Sequence, residues 1–189
     1  MSQGLEITKL GKTFGSTRAL VDLTVDVPPG QTVGLVGENG AGKSTLIKIL
    51  CGVHRSDTGR MALDGTEFSP ANPGAARDAG VVLVPQELRV VPGMTAAENV
   101  FLGDWPMRRR IGLLPDVDHA AMREAFREMT GRLDIRIDPD APTHALSFAE
   151  RQLLVIARAL RHEARVLILD EPTASLERAE VERLFGILK

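Results

Sequence analysis

Two stretches of this sequence carry residue types at spacings that could do chemistry. The first is GENGAGKST, Gly37 to Thr45. It fits G-x-x-x-x-G-K-[ST], with Gly37, Gly42, Lys43 and Ser44 at the fixed positions and Glu38, Asn39, Gly40 and Ala41 between them. Glycines at these places let backbone N–H groups turn inward around a phosphate, and a helix opening at the loop's end adds its partial positive charge. Lys43 can reach the β- and γ-phosphates, and the Ser44 hydroxyl can ligate Mg²⁺. A chance match somewhere in a chain of this length is on the order of one in a hundred at ordinary residue frequencies. The second stretch is VLILDE, an apolar run that ends in two adjacent carboxylates, Asp170 and Glu171. Ligands of parallel sheets sit beyond the carboxyl ends of the strands. Asp170 is therefore expected beside the phosphate loop, holding Mg²⁺ through water. Glu171, pointing another way, can accept a proton from the water that attacks the γ-phosphate. Alone, the pair would read as solvated acids in a turn before Pro172; with the phosphate loop it reads as catalytic.

These residues need strands and helices to hold them. TVGLV (Thr32–Val36), GVVLVP (Gly80–Pro85) and VLIL (Val166–Leu169) are compact apolar runs and predict strands buried on both faces. KSTLIKILCG predicts a helix closed by Gly52. LEITKLGKTF and ALVDLTVDV contain alternating stretches that predict strands with one wet face, and MALDGTEF predicts a hairpin about Asp64-Gly65. Thr95 with Glu98 and Ser147 with Glu150 form capping boxes, Asp118 caps a longer helix through about Gly131, and Val181, Leu184, Phe185 and Leu188 give a last helix an apolar stripe. Buried strands separated by helices predict a parallel α/β sheet with an antiparallel flank. Residues from about 86 to 145 lack strong strand signals and predict a helical insert, with PMRRR and DPDAPTH as its loops.

The length of 189 residues fits one domain, and 43% hydrophobic residues can fill its core. A formal net charge of −2 gives no global reason to expect a nucleic-acid partner. One cysteine, Cys51, excludes an internal disulfide framework and fits a reducing compartment. The opening MSQGLEITKL has no charged region leading into a long apolar stretch, and no run has the 18 or so apolar residues of a membrane span. The expectation is a soluble intracellular protein able to dock on a membrane protein. His54, His119, His144 and His162 read as surface histidines, and the Arg108–Arg110 run as a solvated basic loop.

GENGAGKSTLIKILCG, VLVPQE, LSFAERQLLVIARAL and VLILDEPTASL stand in the order and spacing of the ATP-binding subunits of ABC transporters, which the chain resembles over nearly its whole length. KTFGSTRAL, MTAAENVFLG and the non-glycine LSFAERQ resemble the bacterial sugar importers of the ribose, galactose and xylose type. The resemblance implies a P-loop NTPase with a RecA-like parallel core, and an ATP hydrolase that uses ATP and Mg²⁺ to energise solute import. It implies a second nucleotide-binding domain bound head to tail, transmembrane permease subunits, a solute-binding protein acting indirectly, and a peripheral place on the cytoplasmic face of a bacterial membrane. It also implies that Phe14 stacks on adenine, that Gln86 senses Mg²⁺ and the γ-phosphate, and that Ser147 faces the γ-phosphate held by the opposite subunit.

The sequence departs from the family at several places. Phe148, Ala149 and Glu150 stand where L-S-G-G-Q has glycines and glutamine, and Ala149 leaves less room for a phosphate. Glu177 follows Ser175 and Leu176 where the family has aspartate. The last helix has no glycine cap or closing proline, and the family's next strand and switch histidine have no counterpart here. The expectation is therefore one nucleotide-binding domain over 1–189, incomplete at its C-terminus, that folds marginally or associates. Two other functions compete: a nucleotide-binding regulatory module with little turnover, and a soluble ABC-type ATPase of DNA repair or translation.

Overall fold

A computed structural model of the chain describes residues 4–86, 89–108, 115–161, 164–171 and 186. The described residues fall into two compact units, one within Met1–Leu83 and Glu163–Ile168, the other within Val84–His162 and Leu169–Lys189.

In the first unit, the alternating N-terminal runs form β1 (Leu5–Phe14) and β2 (Thr17–Val27), joined by a tight turn at Gly15-Ser16. They pair antiparallel with Leu5 opposite Val27 and Phe14 opposite Thr17. The register shifts between Ile7 and Leu10, where Lys9 takes a φ of 49°. That bulge lets Ile7 and Leu10 share the buried side although they stand three positions apart. The helix α1 (Lys43–Leu50) follows, buries Leu46, Ile49 and Leu50, and ends where Gly52 turns with a φ of 69°. The strands β3 (Thr58–Leu63) and β4 (Thr66–Glu67) complete the sheet in the order β2-β1-β3-β4. Their turn is the expected Asp64-Gly65, with φ of 51° and 77°, the positive pair a two-residue hairpin requires. Leu5, Ile7, Leu10, Met61 and Leu63 of this sheet share one core with α1. Burial of each large side chain contributes about 1.5–3 kcal/mol. A short helix, α2 (Pro73–Asp78), was not expected; Asn72 accepts from the Ala75 N–H and Pro73 starts the helix.

The strand β5 (Val81–Val84) forms where expected and buries Val81 and Val84, but Val82 and Leu83 are half-buried, short of the burial the sequence predicts. After it come α3 (Ala96–Val100), the small ribbon of β6 (Met107–Arg108) and β7 (Asp116–Val117), α4 (His119–Arg132), a single 3₁₀ turn at Thr143–Ala145, and α5 (Phe148–Leu160). Both capping boxes and the Asp118 cap are present as the sequence predicts. Val100, Met122, Phe126 and Leu154 make the core of this helical region. Buried Asn99 ties the segment ahead of α3 to it: its amide accepts from Val91 N–H at 2.7 Å and donates to the carbonyls of Val91 and Thr95 at 3.1 Å each.

The last described strand, β8 (Val166–Leu169), pairs with β5. Gly80 O accepts from Val166 N–H and Val84 O from Asp170 N–H, so the two strands run the same way. All four β8 residues are half-buried, short of the burial on both faces that the sequence predicts.

One expectation is overturned. Thr32–Val36 is not a strand: the run carries no ladder, and Val33, Leu35 and Val36 are 46%, 50% and 93% exposed. A strand buried on both faces needs a paired neighbour and a covering layer on each side. Among the described residues β5 and β8 pair only with each other, and neither of their outer edges takes up this run.

Candidate functional site

The phosphate loop begins in the open run 31–36 and turns at Gly40 (φ 86°) and Gly42 (φ 91°) before α1 starts. Gly42 is the residue just before the helix and offers no side-chain cap to the amides of the first turn. Only glycine fits there. A Cβ on Gly42 would lie 2.4 Å from the Ala19 carbonyl oxygen, and the left-handed φ would strain it besides. Within the loop, the Ala41 N–H donates to the Glu38 carbonyl at 3.1 Å. The Lys43 ammonium curls back over the loop and donates to the carbonyl oxygens of Gly37 and, at 2.9 Å, Glu38. Asn39, Gly40, Ala41 and Ser44 are exposed. Loop, ammonium and open amides thus make a cradle of matching polarity for a polyphosphate, and the Ser44 hydroxyl at its lip is an oxygen donor suited to a hard cation.

Phe14, also in this unit, ends β1 with 42% of its surface exposed. It does not stand alone. The His54 ring packs against it at a centroid distance of 5.2 Å and an interplanar angle of 66°, and the Lys12 ammonium lies 5.4 Å from its centroid. The sequence offers no signal for the His54 contact, since 40 residues separate the two rings along the chain, and the expectation of a plain surface histidine is corrected here. Cys51 caps the C-terminal end of α1, and burial pushes its thiol up to about 11.

In the second unit, Gln86 and Glu171 come together at the ends of the paired strands β5 and β8. The Gln86 carboxamide donates to Glu171 Oε2 at 2.9 Å across 85 residues of sequence. Glu171 holds a φ of 48°, unusual for a side chain of its size. Both groups are exposed, and Asp170 is fixed by its backbone N–H on Val84 O at 3.1 Å. Elsewhere in this unit, Ser147 Oγ accepts from Glu150 N–H at 3.2 Å, Glu150 Oε2 accepts from Ser147 N–H at 2.8 Å, and Phe148 faces outward. The start of α5 therefore caps itself. His144 Nδ1 lies 3.2 Å from the Pro92 carbonyl, and His119 Nδ1 4.0 Å from Glu98. Arg108 of the basic run faces Asp116 at 3.8 Å. Ser175, Leu176, Glu177, His162, Arg109, Arg110 and the stripe from Val181 to Leu188 lie outside the described residues.

Comparisons with known proteins bear on this arrangement. The chain is 47% identical over 185 residues to a ribose import ATP-binding protein of Streptomyces coelicolor, covering 98% of this chain and 36% of that protein. A ribose import ATP-binding protein of Hahella chejuensis is 43% identical over 189 residues, 100% of this chain and 37% of its own length. The chain thus spans about a third of the length of these curated relatives. Among solved structures, an ATP-binding cassette of an ABC transporter in its ADP conformation superposes with a TM-score of 0.84 at 25% identity, covering 100% of this chain and 76% of that one. The fold is accordingly the α/β fold of that cassette, a P-loop NTPase. The family model described as ABC transporter matches residues 20–174, which includes the phosphate loop, Gln86, Ser147 and both terminal carboxylates, and the chain belongs to that family.

Proposed function

We propose that this chain is the ATP-binding and ATP-hydrolysing part of a membrane importer, and that the solute is a sugar. The observation that carries the reading is the Gly37–Thr45 loop, which delivers an uncapped helix start and a lysine ammonium to one exposed cradle. The identity to ribose import ATP-binding proteins supports the sugar.

In the proposed cycle, backbone amides of the loop and of the first turn of α1 take the phosphate oxygens. Lys43 exchanges two loop carbonyls for the β- and γ-phosphates. Ser44 and Asp170, with Gln86, are the residues that would hold Mg²⁺. When bound, the ion neutralises charge that grows on the phosphates during transfer. Glu171 accepts a proton from the attacking water. The Gln86 amide engages Oε2, which leaves Oε1 to take that proton, so the Gln86–Glu171 hydrogen bond can orient the base without blocking it. Phe14 stacks on the nucleobase. Ser147 meets the γ-phosphate of a second nucleotide-binding domain set head to tail. The helical region within about 86–145 passes the motion to transmembrane permease subunits at the cytoplasmic face of the membrane, which a solute-binding protein serves indirectly.

Steady-state Mg²⁺-ATP hydrolysis tests this reading, with Glu171→Gln as the blank. Turnover that falls by a factor of about 10² or more in the variant supports it; equal turnover removes Glu171 from the reaction. A second reading, a nucleotide-binding module with little turnover, draws on one observation: the proposed base is held by Gln86. ATP that binds but is not hydrolysed, even with the permease present, would select it.

A further inference from the structure

The ring of Phe14 sits at the end of a strand, where a half-exposed side chain has few neighbours to hold it. Here it has two. Lys12 stands two residues before it on the same strand, hence on the same face. The Lys12 ammonium is not free to wander: it donates to Asp57 Oδ1 at 2.7 Å, and its side chain is largely buried. The other carboxylate oxygen, Asp57 Oδ2, accepts from Thr13 N–H at 2.7 Å. Asp57 therefore fixes both the cation beside the ring and the backbone immediately before it. The Lys12 hydrogen bond, first, and the Thr13 amide hold its carboxyl below the usual range. His54 supplies the second contact, ring against ring and inclined, as aromatic pairs prefer. Its own place is set by α1: the His54 N–H donates to the Lys48 carbonyl at 3.1 Å, in the last turn of the helix that starts at the phosphate loop.

We propose that His54 is a positioning residue of the base subsite, which with Lys12 holds the Phe14 ring in one attitude to receive a purine. The inference rests on the reading of Phe14 as the surface against which the nucleobase stacks. A ring already ordered before the ligand arrives does not have to be ordered by it. The eight residues of α1 then join the two ends of one ligand site. The helix start meets phosphates, and the turn after its last residue carries the histidine that sets the base platform.

The test compares equilibrium binding of ATP and of inorganic tripolyphosphate to the whole 189-residue chain, since only ATP has a base. Phe14→Ala is expected to weaken ATP by about tenfold, the worth of a lost stacking partner. His54→Ala should weaken ATP by about threefold, the worth of one aromatic contact. Neither should move tripolyphosphate, which also reports that the loop is intact. His54→Tyr, which keeps a ring against Phe14, should restore ATP binding. In the Phe14→Ala background, His54→Ala should cost nothing further. A loss in His54→Ala that persists without Phe14, or that falls equally on tripolyphosphate, overturns the positioning role. So does ATP affinity that falls in Phe14→Ala while His54→Ala binds like the parent, and in that case the stacking reading survives. Unchanged ATP affinity in Phe14→Ala removes both.

Discussion

The front sheet and the run ahead of the phosphate loop are made of similar residues and end in opposite states. In β1, Leu5, Ile7 and Leu10 are buried, all three laddered to β2 and the first two also to β3 on the other side. In 32–36, Val33, Leu35 and Val36 face water with no ladder. The difference lies in where each finds its neighbours. The strand β1 meets β2 after a two-residue turn and β3 a few dozen residues on, inside the same unit. A strand buried on both faces gains nothing until a neighbour and two covering layers are in place, and its apolar density alone supplies none of them. Apolar content states that a segment could be buried; the ladder decides whether it is.

The comparison breaks most visibly at Leu10. Leu10→Ala empties a site with no solvent exposure in the middle of the sheet, and we expect a loss of about 3 kcal/mol in denaturant unfolding, within the usual range for buried leucine. A loss under about 1 kcal/mol would mean that the front sheet is not the stable half of the contrast.

Gly42 sits between the two regions, with its turn packed on the Ala19 carbonyl of β2. Gly42→Ala should cost about 2 kcal/mol through the clash and the left-handed φ, and should weaken tripolyphosphate binding as well. Stability lost without a change in tripolyphosphate affinity would separate the loop's folding from its proposed ligand.

Cys51 sharpens the contrast from the core side. Its thiol is pushed up from 9.0 to about 11 by burial, so the folded chain keeps it neutral where the unfolded chain ionises it. The stability it contributes is whole below pH 9 and is lost as pH rises toward 11. At pH 10 the expected loss is roughly 1 kcal/mol. Cys51→Ala should lack that slope, which unfolding curves of the two chains at pH 8 and pH 10 would reveal. A maleimide should label Cys51 slowly in the folded chain and quickly after unfolding.

Much of this was legible in residue order. The Asp64-Gly65 turn, the two capping boxes and the Asp118 cap are local chemistry, completed within a few residues, and the structure repeats them. The start of α2 is local chemistry too, since Asn72-Pro73 is a cap followed by the proline that opens a helix. The rest depends on contacts between distant residues. The Gln86–Glu171 bond spans 85 residues, and nothing in either neighbourhood announces it. The His54 contact with Phe14 follows from where α1 ends and where β1 ends, a property of the packed unit. Lys43 was readable as a phosphate ligand, but its curl onto Gly37 and Glu38 depends on the loop's three-dimensional path.

The smallest expected effect tests the other half of the comparison. Val36 is 93% exposed, so Val36→Ser removes almost no buried surface and should change unfolding stability by less than about 0.5 kcal/mol. The same substitution in a strand buried on both faces would place a hydroxyl among apolar side chains and cost 1–3 kcal/mol. The measurement is therefore a direct reading of the run's state, and ATP extends it. If ATP binding leaves the run open, the cost stays small with the nucleotide present. If the run closes into a ladder when the loop is filled, Val36→Ser becomes expensive only with ATP, and the excess equals the loss in ATP affinity that the variant must show by linkage. Agreement of those two independently measured numbers would show that the run is a strand in waiting. A small cost with and without ATP would show that the phosphate cradle is carried by an open segment and that its order comes from α1 alone.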